Sequence, residues 1–259
     1  MTRLVVTQPP EGFESIEIGS AVAWVRPPAR AWVQSVLDRS SSLYSEARAA
    51  AGGRSTLHGR AALFEVPPGA GSWVVKHYVR GGAVASLLGD RYLVSSRPRP
   101  FVEVAASEWL RKRAIATPSV VTAVVYRAGL FYRGDLATER LPDTLDLGVL
   151  LFAEGQGPSS PELRAGALEA AGRLVRSLAE AGVHHGDLNA KNILVDVETN
   201  PLRAHVLDLD RCSLTRWGRA AERWMRCRLL HSLAAWERSS GRPLAPAERE
   251  ALSRGLEGR

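Results

Sequence analysis

One polar loop followed by a short apolar strand constrains this chain more than any other stretch of its sequence. The loop, residues 185–192, reads HGDLNAKN, and the apolar residues 193–195 follow it directly. A turn then leads to a second apolar segment that ends in Asp208. A hairpin of this kind brings the side chains of Asp187, Asn192 and Asp208 to one end of a sheet. A surface hairpin that carries acids by chance is the alternative, but histidine and glycine beside an acid are poor filler for one.

Phosphoryl transfer from a nucleotide to a hydroxyl requires this set of groups. One carboxylate orients and deprotonates the acceptor hydroxyl, while an amide and a second carboxylate hold Mg²⁺ on the phosphates. The five-residue step from Asp187 to Asn192, with an acid at the end of the next strand, matches the catalytic loop of protein kinases. The pattern therefore predicts that Asp187 is the base and that Asn192 and Asp208 bind the metal.

A lysine inside a predicted strand is the second feature with a chemical meaning. Residues 72–79 read SWVVKHYV, so Lys76 follows an apolar approach after a glycine-rich turn. In kinases such a lysine holds the nucleotide phosphates, and backbone N–H groups of the turn can cover them. Lysine is scarce in this chain, where only Lys76, Lys112 and Lys191 occur. That scarcity favours a role for the compact ammonium group, although a lysine facing solvent at a strand end is the alternative.

The helix predicted over residues 101–111 offers a partner for Lys76. Kinases fix this lysine with a glutamate from the helix that follows, and both Glu103 and Glu108 are available. Glu103 is preferred because apolar residues flank it in the first turn, although either glutamate can be an ordinary solvated charge. After two further strands, residues 138–142 are expected to form an extended hinge whose backbone groups meet the adenine edge.

Composition limits the partners and the compartment. The net charge of +7 indicates an anionic partner, such as a nucleotide or a phospholipid head group. Nucleic acid is not expected as a partner, because the net charge is the only feature of the sequence that indicates it. The two cysteines lack the spacing of a zinc site and fit a reducing cytoplasm. Neither a signal peptide nor an apolar stretch long enough to span a bilayer is expected.

A basic stretch over residues 213–237 predicts an amphipathic helix or helix pair. Its arginines fall at helical spacing on one face, with tryptophans and leucines nearby (Arg216, Arg219, Arg223, Arg226, Trp217, Trp224 and Leu230). One interpretation is a core helix whose outer face is solvated by arginine. The other is a surface that meets anionic lipid head groups. Because this stretch follows Asp208 almost at once, no activation segment is expected, which favours a saccharide or small-molecule acceptor.

Several stretches together resemble the 3-deoxy-D-manno-octulosonic acid (Kdo) kinases, which belong to the bacterial lipopolysaccharide kinases. The most specific part is the insertion after the lysine strand, which reads KHYVRGG over residues 76–82. The segments FVE at 101–103, GDLATERLP at 134–142 and CRLLHSL at 227–233 are also similar to segments of that family, as are the catalytic and metal motifs.

The resemblance implies a two-lobed, protein-kinase-like α+β fold in one domain over residues 1–259. A small antiparallel-sheet lobe would span about 1–137, the hinge 138–142 and a mainly helical lobe 143–259. By position it implies that Asp187, Lys76 and Glu103 are catalytic and that Asn192 and Asp208 hold Mg²⁺. Gly59, Arg60, Lys76, Glu139 and Leu141 would bind ATP. Two positions depart from the family pattern. Gly59-Arg60-Ala61 stands where Gly-Arg-Gly is expected, and Lys191 stands where the family often has another residue. Lys191 either contacts the transferred phosphoryl group or faces solvent.

The implied activity is transfer of the ATP γ-phosphoryl group to a hydroxyl of Kdo in the lipid A and lipopolysaccharide inner core. The implied location is the cytoplasm, with peripheral contact on the anionic cytoplasmic face of the inner membrane. The alternatives are a kinase of the same fold for another acceptor, such as heptose, a small molecule or a protein, and a pseudokinase that acts as a binding module.

Overall fold

The computed structural model describes residues 6–53, 63–66, 72–79, 89–153, 160–215 and 218–258. The chain divides into two compact units. Among the described residues, the first unit contains the chain up to Glu108 together with Ser119–Arg140. The second unit contains Trp109–Pro118 and the chain from Leu141 onward.

The first unit is built on an antiparallel sheet. Its strands are β1 (Glu14–Ile18), β2 (Ala21–Val25), β3 (Phe64–Glu65), β4 (Trp73–His77), β5 (Tyr92–Leu93), β6 (Val120–Ala128) and β7 (Phe131–Glu139). The strand order in this part of the chain is β1-β2-β6-β7-β4-β3, and β5 pairs with β7. Its helices are α1 (Arg30–Asp38), α2 (Leu43–Ala50) and α3 (Arg99–Arg111), of which the last residues of α3 belong to the second unit.

Burial on both faces of the sheet explains why these segments form its core. The five residues of β2 are all buried, and Val75 of β4 and Leu136 of β7 are also inaccessible to solvent. One face packs against α1 and α2 through Val33 and Leu43. The other face packs against α3, where Phe101 stacks on Trp24 of β2 at a centroid distance of 4.2 Å. Removal of this apolar surface from water holds the unit together.

Strand β7 is longer than the sequence pattern predicts. Residues 138 and 139, predicted to begin the extended hinge, remain paired with β4, where Val74 lies opposite Thr138. The prediction was wrong because Gly134 and Asp135 interrupt the apolar pattern. Gly134 is needed because a Cβ there would lie 2.5 Å from Pro100 Cγ of α3. Asp135 is completely buried but forms hydrogen bonds, so the strand continues through both residues.

The second unit is mainly helical with short antiparallel ladders. Its helices are α4 (Leu147–Phe152), α5 (Pro161–Glu180), α6 (Gly218–Ser240) and α7 (Pro246–Glu257). Its strands are β8 (Thr144–Asp146), β9 (Val183–His185), β10 (Ile193–Asp196), β11 (Arg203–Val206) and β12 (Cys212–Leu214). Strand β10 pairs with β11 and β8, and β9 pairs with β12. The predicted hairpin is β10–β11, with Ile193 opposite Val206.

Three boundaries in this unit differ from the predictions. The apolar spacing of residues 145–152 predicts a helix from Leu145. The helix begins at Leu147, because Asp146 caps its first turn by accepting from the N–H groups of Gly148 and Val149. Within the basic stretch, residues 218–237 lie in one continuous helix, whereas residues 213–214 belong to β12. The third boundary concerns residues 109–118, which fall within the first lobe expected from the sequence. This segment is hydrogen-bonded to β11, where the hydroxyl of Thr117 donates to the backbone oxygen of Val206 over 2.9 Å.

Helices α5 and α7 approach each other so closely that glycine is required at the contact. A Cβ on Gly172 of α5 would lie 2.6 Å from the carbonyl oxygen of Leu252 and 2.8 Å from the nitrogen of Leu256. Both obstacles are backbone atoms of α7 and cannot rotate away. At Gly166, six residues earlier in α5, a Cβ would meet the flexible Leu202 side chain at 3.1 Å and no other residue that the structure describes.

We predict that alanine has opposite effects at these two glycines. Glycine inside a helix costs up to about 1 kcal/mol relative to alanine, so Gly166→Ala is expected to keep or raise the free energy of unfolding. Gly172→Ala is expected to lower it by about 2 kcal/mol, because overpacking outweighs the gain in helix propensity. Urea denaturation followed by circular dichroism measures both. Equal effects of the two substitutions would contradict the close helix contact.

Candidate active site

The loop between β9 and β10 is held by a buried histidine. His185 is completely buried, and its Nε2–H donates to the carbonyl oxygen of Leu207 over 2.8 Å. Its Nδ1 accepts from the backbone N–H of Asp187 at 3.2 Å. Burial lowers the pKa of His185, against the raising effect of the Leu207 carbonyl and of nearby acids. The neutral ring, with one donor and one acceptor nitrogen, is the form that both bonds require.

Two asparagine side chains fix the rest of this loop. The Nδ2 groups of Asn189 and Asn192 donate to the backbone oxygen of Asp187 over 2.9 and 2.8 Å. Asn192 is buried, and its backbone oxygen accepts from the N–H of Leu207 at 2.9 Å. The loop is thereby bonded to the segment that follows β11, and Asp187 is presented on a backbone with little freedom.

Asp208 lies on that same segment in an uncommon conformation. It follows β11 and precedes a 3₁₀ turn over Leu209–Arg211, with φ 56° and ψ 57°. Among residues other than glycine, aspartate is one of the few that tolerate this left-handed region, at a cost in free energy. The conformation leaves Asp208 exposed, while Leu209 is buried. Backbone strain of this kind is concentrated at functional sites.

The oxygen donors of this loop fit Mg²⁺. The amide nitrogen of Asn192 is occupied by Asp187, so the amide oxygen is the group left for a ligand. Asp208 adds a carboxylate, since it directly follows Leu207, whose N–H donates to the backbone oxygen of Asn192. In the part of the chain that the structure describes, no three His, Cys, Asp or Glu side chains are grouped to hold a metal. Mg²⁺ does not require such a group, because it keeps waters and binds substrate phosphates with one or two protein carboxylates.

Arg228 of α6 contacts Asp187, although the sequence motifs do not indicate Arg228 as a site residue. Its Nη2 donates to Asp187 Oδ1 in an ion pair between half-exposed side chains. Arg228 does not belong to the predicted basic face, whose described arginines, Arg219, Arg223 and Arg226, are exposed. Arg228 is out of phase with them on a helix of 3.6 residues per turn. That phase difference is the sequence signal that distinguishes it.

In the first unit, the predicted lysine–glutamate ion pair is present. Lys76 Nζ of β4 lies 2.7 and 2.9 Å from the two carboxylate oxygens of Glu103 of α3. The hydroxyl of Tyr78 also donates to Glu103, which is buried. Glu108, the alternative partner, instead bonds Arg26 Nη2 at 2.6 Å. The geometry selects Glu103, while the role of the pair in phosphate binding stays a prediction.

A second buried acid, missed by the sequence analysis, lies beside this pair. Asp135 Oδ1 is 2.6 Å from His77 Nδ1, and its Oδ2 accepts from the hydroxyl of Tyr126 and the N–H of Tyr44. Asp90 lies 3.0 Å from the other ring nitrogen of His77. Burial lowers the pKa of His77, but the bonds and charges of Asp135 and Asp90 outweigh it, so the pKa is raised. The network anchors β4 next to Lys76.

The other predicted residues have more varied positions. The N–H of Glu139 donates to Ser119 O over 2.9 Å and is therefore committed to the sheet. The carbonyl oxygen of Leu141 accepts from the Thr144 hydroxyl at 3.1 Å. Lys191 is exposed, with its Nζ 5.3 Å from the centre of the Trp236 ring. Gly59 and Arg60, predicted to cover the phosphates, lie outside the described residues, as do residues 80–82 of the insertion.

Comparison with known proteins decides the family. The model of a protein family described as "Lipopolysaccharide kinase (Kdo/WaaP) family" matches residues 46–254 of this sequence. The chain belongs to the lipopolysaccharide kinase (Kdo/WaaP) family. The match covers both units and includes each of the predicted site residues.

Relatives of this family carry the name 3-deoxy-D-manno-octulosonic acid kinase. One from Stenotrophomonas maltophilia (strain K279a) is 34% identical over 140 residues, which are 53% of this chain and 53% of the relative. One from Xanthomonas axonopodis pv. citri (strain 306) is 34% identical over 165 residues, 61% of this chain and 62% of the relative. The chain thus spans between half and two thirds of the length of these curated relatives.

A solved structure supports the fold. The structure titled "WaaP in complex with acyl carrier protein" matches with a TM-score of 0.54 and covers 91% of this chain and 88% of its own. Its sequence identity is 18%, so the likeness concerns the fold alone. The predicted two-lobed, kinase-like α+β fold is confirmed.

The neutral state of His185 predicts a pH dependence of stability. Its pKa is lowered in the folded protein, whereas an unfolded histidine takes up a proton near pH 6.5. At this residue the unfolded chain therefore binds more protons below that pH, so the contribution of His185 to the free energy of unfolding falls as the pH is lowered from 7 to 5. His77, whose pKa is raised, contributes with the opposite sign in wild type and variant alike. His185→Gln is expected to reduce this slope by up to about 1.4 kcal/mol per pH unit.

Denaturation series between pH 5 and 7 measure that slope. His231→Gln, at an exposed position of α6, is the matched control and is expected to keep the wild-type slope. A His185→Gln variant with the same slope as wild type would show that the buried ring takes up its proton as readily as the unfolded one.

Proposed function

We propose that this chain is an ATP-dependent kinase that phosphorylates a hydroxyl of 3-deoxy-D-manno-octulosonic acid in the lipid A and lipopolysaccharide inner core. The observation that carries the proposal is the catalytic loop, in which His185 and Asn192 fix the backbone of a half-exposed Asp187. The names of the relatives support the acceptor, and family membership supports the reaction class.

Asp187 is the base in the proposed reaction. Its carboxylate accepts the proton of the acceptor hydroxyl as the hydroxyl oxygen bonds to the γ-phosphorus of ATP. The bond from that phosphorus to the β–γ bridging oxygen breaks, and ADP leaves. The side-chain amides of Asn189 and Asn192 donate to the backbone oxygen of Asp187 and hold its backbone in place, so little orientational freedom has to be lost during the reaction.

The remaining residues bind the nucleotide. Lys76, oriented by Glu103, binds the phosphates, and the amide oxygen of Asn192 and the carboxylate of Asp208 hold Mg²⁺. When bound, the metal neutralises charge on the transferred phosphoryl group. Because the N–H of Glu139 belongs to the sheet, Leu141 is the hinge residue whose backbone N–H we assign to adenine. Gly59 and Arg60 cover the phosphates in this proposal on the basis of the family pattern alone.

We also propose that the outer face of α6 contacts the anionic surface of the cytoplasmic membrane. This face carries the exposed Arg219, Arg223 and Arg226 together with Trp224 and Leu230, which are 52% and 40% exposed. Arginine pairs with lipid phosphates, and tryptophan and leucine enter the head-group region. None of the helices that the structure describes is long and apolar enough to cross a membrane. Arg216 and Trp217, predicted on the same face, lie outside the described residues.

The first prediction from this proposal is that Asp187→Asn abolishes phosphate transfer. The amide keeps the size of the side chain but accepts no proton, so kcat is expected to fall at least about 1,000-fold. The measurement is transfer of labelled γ-phosphate from Mg·ATP to a Kdo-containing lipid A precursor in detergent. Binding of ATP to the variant, followed by calorimetry, is expected to persist, which separates loss of chemistry from loss of folding.

Other outcomes of this assay distinguish the alternatives. If the wild type binds ATP but transfers phosphate only to heptose or another acceptor, the kinase assignment stands and the Kdo acceptor is wrong. If Mg·ATP does not bind to the wild type, the chain is a pseudokinase. Full activity of Asp187→Asn would remove Asp187 as the base.

For the membrane surface, we predict that Trp224→Ser with Leu230→Ser weakens binding to vesicles that contain phosphatidylglycerol. Loss of two apolar contacts is expected to lower the partition coefficient about 10-fold or more. Leu93→Ser with Leu130→Ser is the matched control, since these residues of the first unit are 61% and 77% exposed. Co-sedimentation measures both variants. Weaker binding of the control alone would place the contact on the first unit instead.

A further inference from the structure

One stripe of α6 lies along the catalytic loop. The hydroxyl of Ser232 accepts from the N–H of Ala190 at 3.1 Å, and the Trp236 ring lies under Lys191. Arg228, one turn before Ser232, donates from Nη2 to Asp187. Positions 228, 232 and 236 share a helix face because they are four residues apart. The helix therefore delivers a guanidinium to the proposed base from outside the loop itself.

The contact between Arg228 and Asp187 is poorly suited to a purely structural role. The two side chains are 41% and 31% exposed, and ion pairs with this exposure contribute little to stability because water screens them. In addition, Arg228 Nε is buried and has no hydrogen-bond partner among the described residues. An unsatisfied buried donor is unfavourable. The fold therefore holds a guanidinium whose hydrogen-bonding capacity the described residues do not use up.

The charge around the loop indicates what this guanidinium is for. Asp187, Asp208 and Asp210 lie within or just after the motifs that form the loop and its neighbouring turn. The same segments carry two cations, Lys191, which lies over the Trp236 ring, and Arg211, whereas the cation in contact with Asp187 itself is Arg228. An acceptor that is itself an acid would be repelled by these carboxylates. The relatives' acceptor is named an octulosonic acid, and so carries a carboxylate of its own. Such an acceptor needs a fixed cation close to the base.

We propose that Arg228 binds the carboxylate of the acceptor sugar beside Asp187 and is a specificity-determining residue for an acidic sugar. The inference rests on the proposed function and names how its acceptor is recognised. A planar guanidinium matches a carboxylate in geometry and charge better than a lysine does. By holding the acid group, Arg228 orients the acceptor so that its hydroxyl meets the carboxylate of Asp187. A neutral sugar gains nothing from this contact.

The test compares two acceptors that differ only in the charged group. Detergent-solubilised Kdo-lipid A precursor and the methyl ester of its Kdo carboxylate are phosphorylated by wild type, Arg228→Gln and Arg228→Lys. For the free acid, Arg228→Gln is expected to raise KM about 10-fold to 100-fold, the effect of losing a hydrogen bond to a charged group. For the methyl ester, wild type and Arg228→Gln are expected to have similar KM values. Arg228→Lys is expected to restore part of the affinity for the acid.

The control is Arg238→Gln, which removes an exposed arginine from the last turn of the same helix. It is expected to behave as wild type with both acceptors, and thermal melts establish that each variant is folded. The KM for ATP is expected to stay unchanged in Arg228→Gln.

Each other outcome overturns a specific claim. An equal fall in kcat with both acceptors, at unchanged KM, would make Arg228 a positioning residue for Asp187 and overturn the inference. A rise in the KM for ATP alone would assign Arg228 to the nucleotide phosphates and overturn it equally. Wild type that phosphorylates acid and ester with the same KM would overturn it while the proposed function stands. Wild type that phosphorylates neither would overturn the proposed function, and with it the acceptor assignment of Arg228.

Discussion

The bond network of His185 is the interaction on which the rest of the site depends. A single neutral imidazole joins the backbone N–H of Asp187 to the carbonyl oxygen of Leu207, so it ties the loop of the proposed base to the segment that carries Asp208. Burial favours the neutral ring, and only the neutral ring has the donor and the acceptor that these two bonds need. Solvation and hydrogen bonding therefore act in the same direction.

The two units solve the same problem by different means. In each, a carboxylate must be held in one orientation near a core that disfavours charge. In the first unit, Glu103 is buried and is matched by the ammonium of Lys76 and the hydroxyl of Tyr78. In the second unit, Asp187 stays half exposed and its backbone carries most of the constraint. The difference fits an ion pair that is part of the packed core in one case and a carboxylate that stays accessible to an acceptor, as proposed above, in the other.

How far the sequence predicts this site depends on how local each contact is. The order of Asp187, Asn192 and Asp208 is encoded within one hairpin, so spacing alone indicates it. The extension of β7 was missed because buried Asp135 reads as a loop residue until its partners are known. The contact of Arg228 with Asp187 joins residues 41 apart and depends on the rotation of α6 about its own axis. Such long-range contacts are set by packing, which local periodicity does not specify.

The glycine contact between α5 and α7 gives the carboxyl-terminal helix a role beyond covering the core. Backbone lies on backbone at Gly172, and α5 runs on through Gly182 directly into β9 and His185. The last helix is thus the support against which the element that feeds the loop is seated. Shortening the chain before Pro246 would expose this backbone surface and leave α5 free to shift. A chain trimmed at this end would be expected to lose the alignment of the carboxylate proposed as the base before it loses its overall fold.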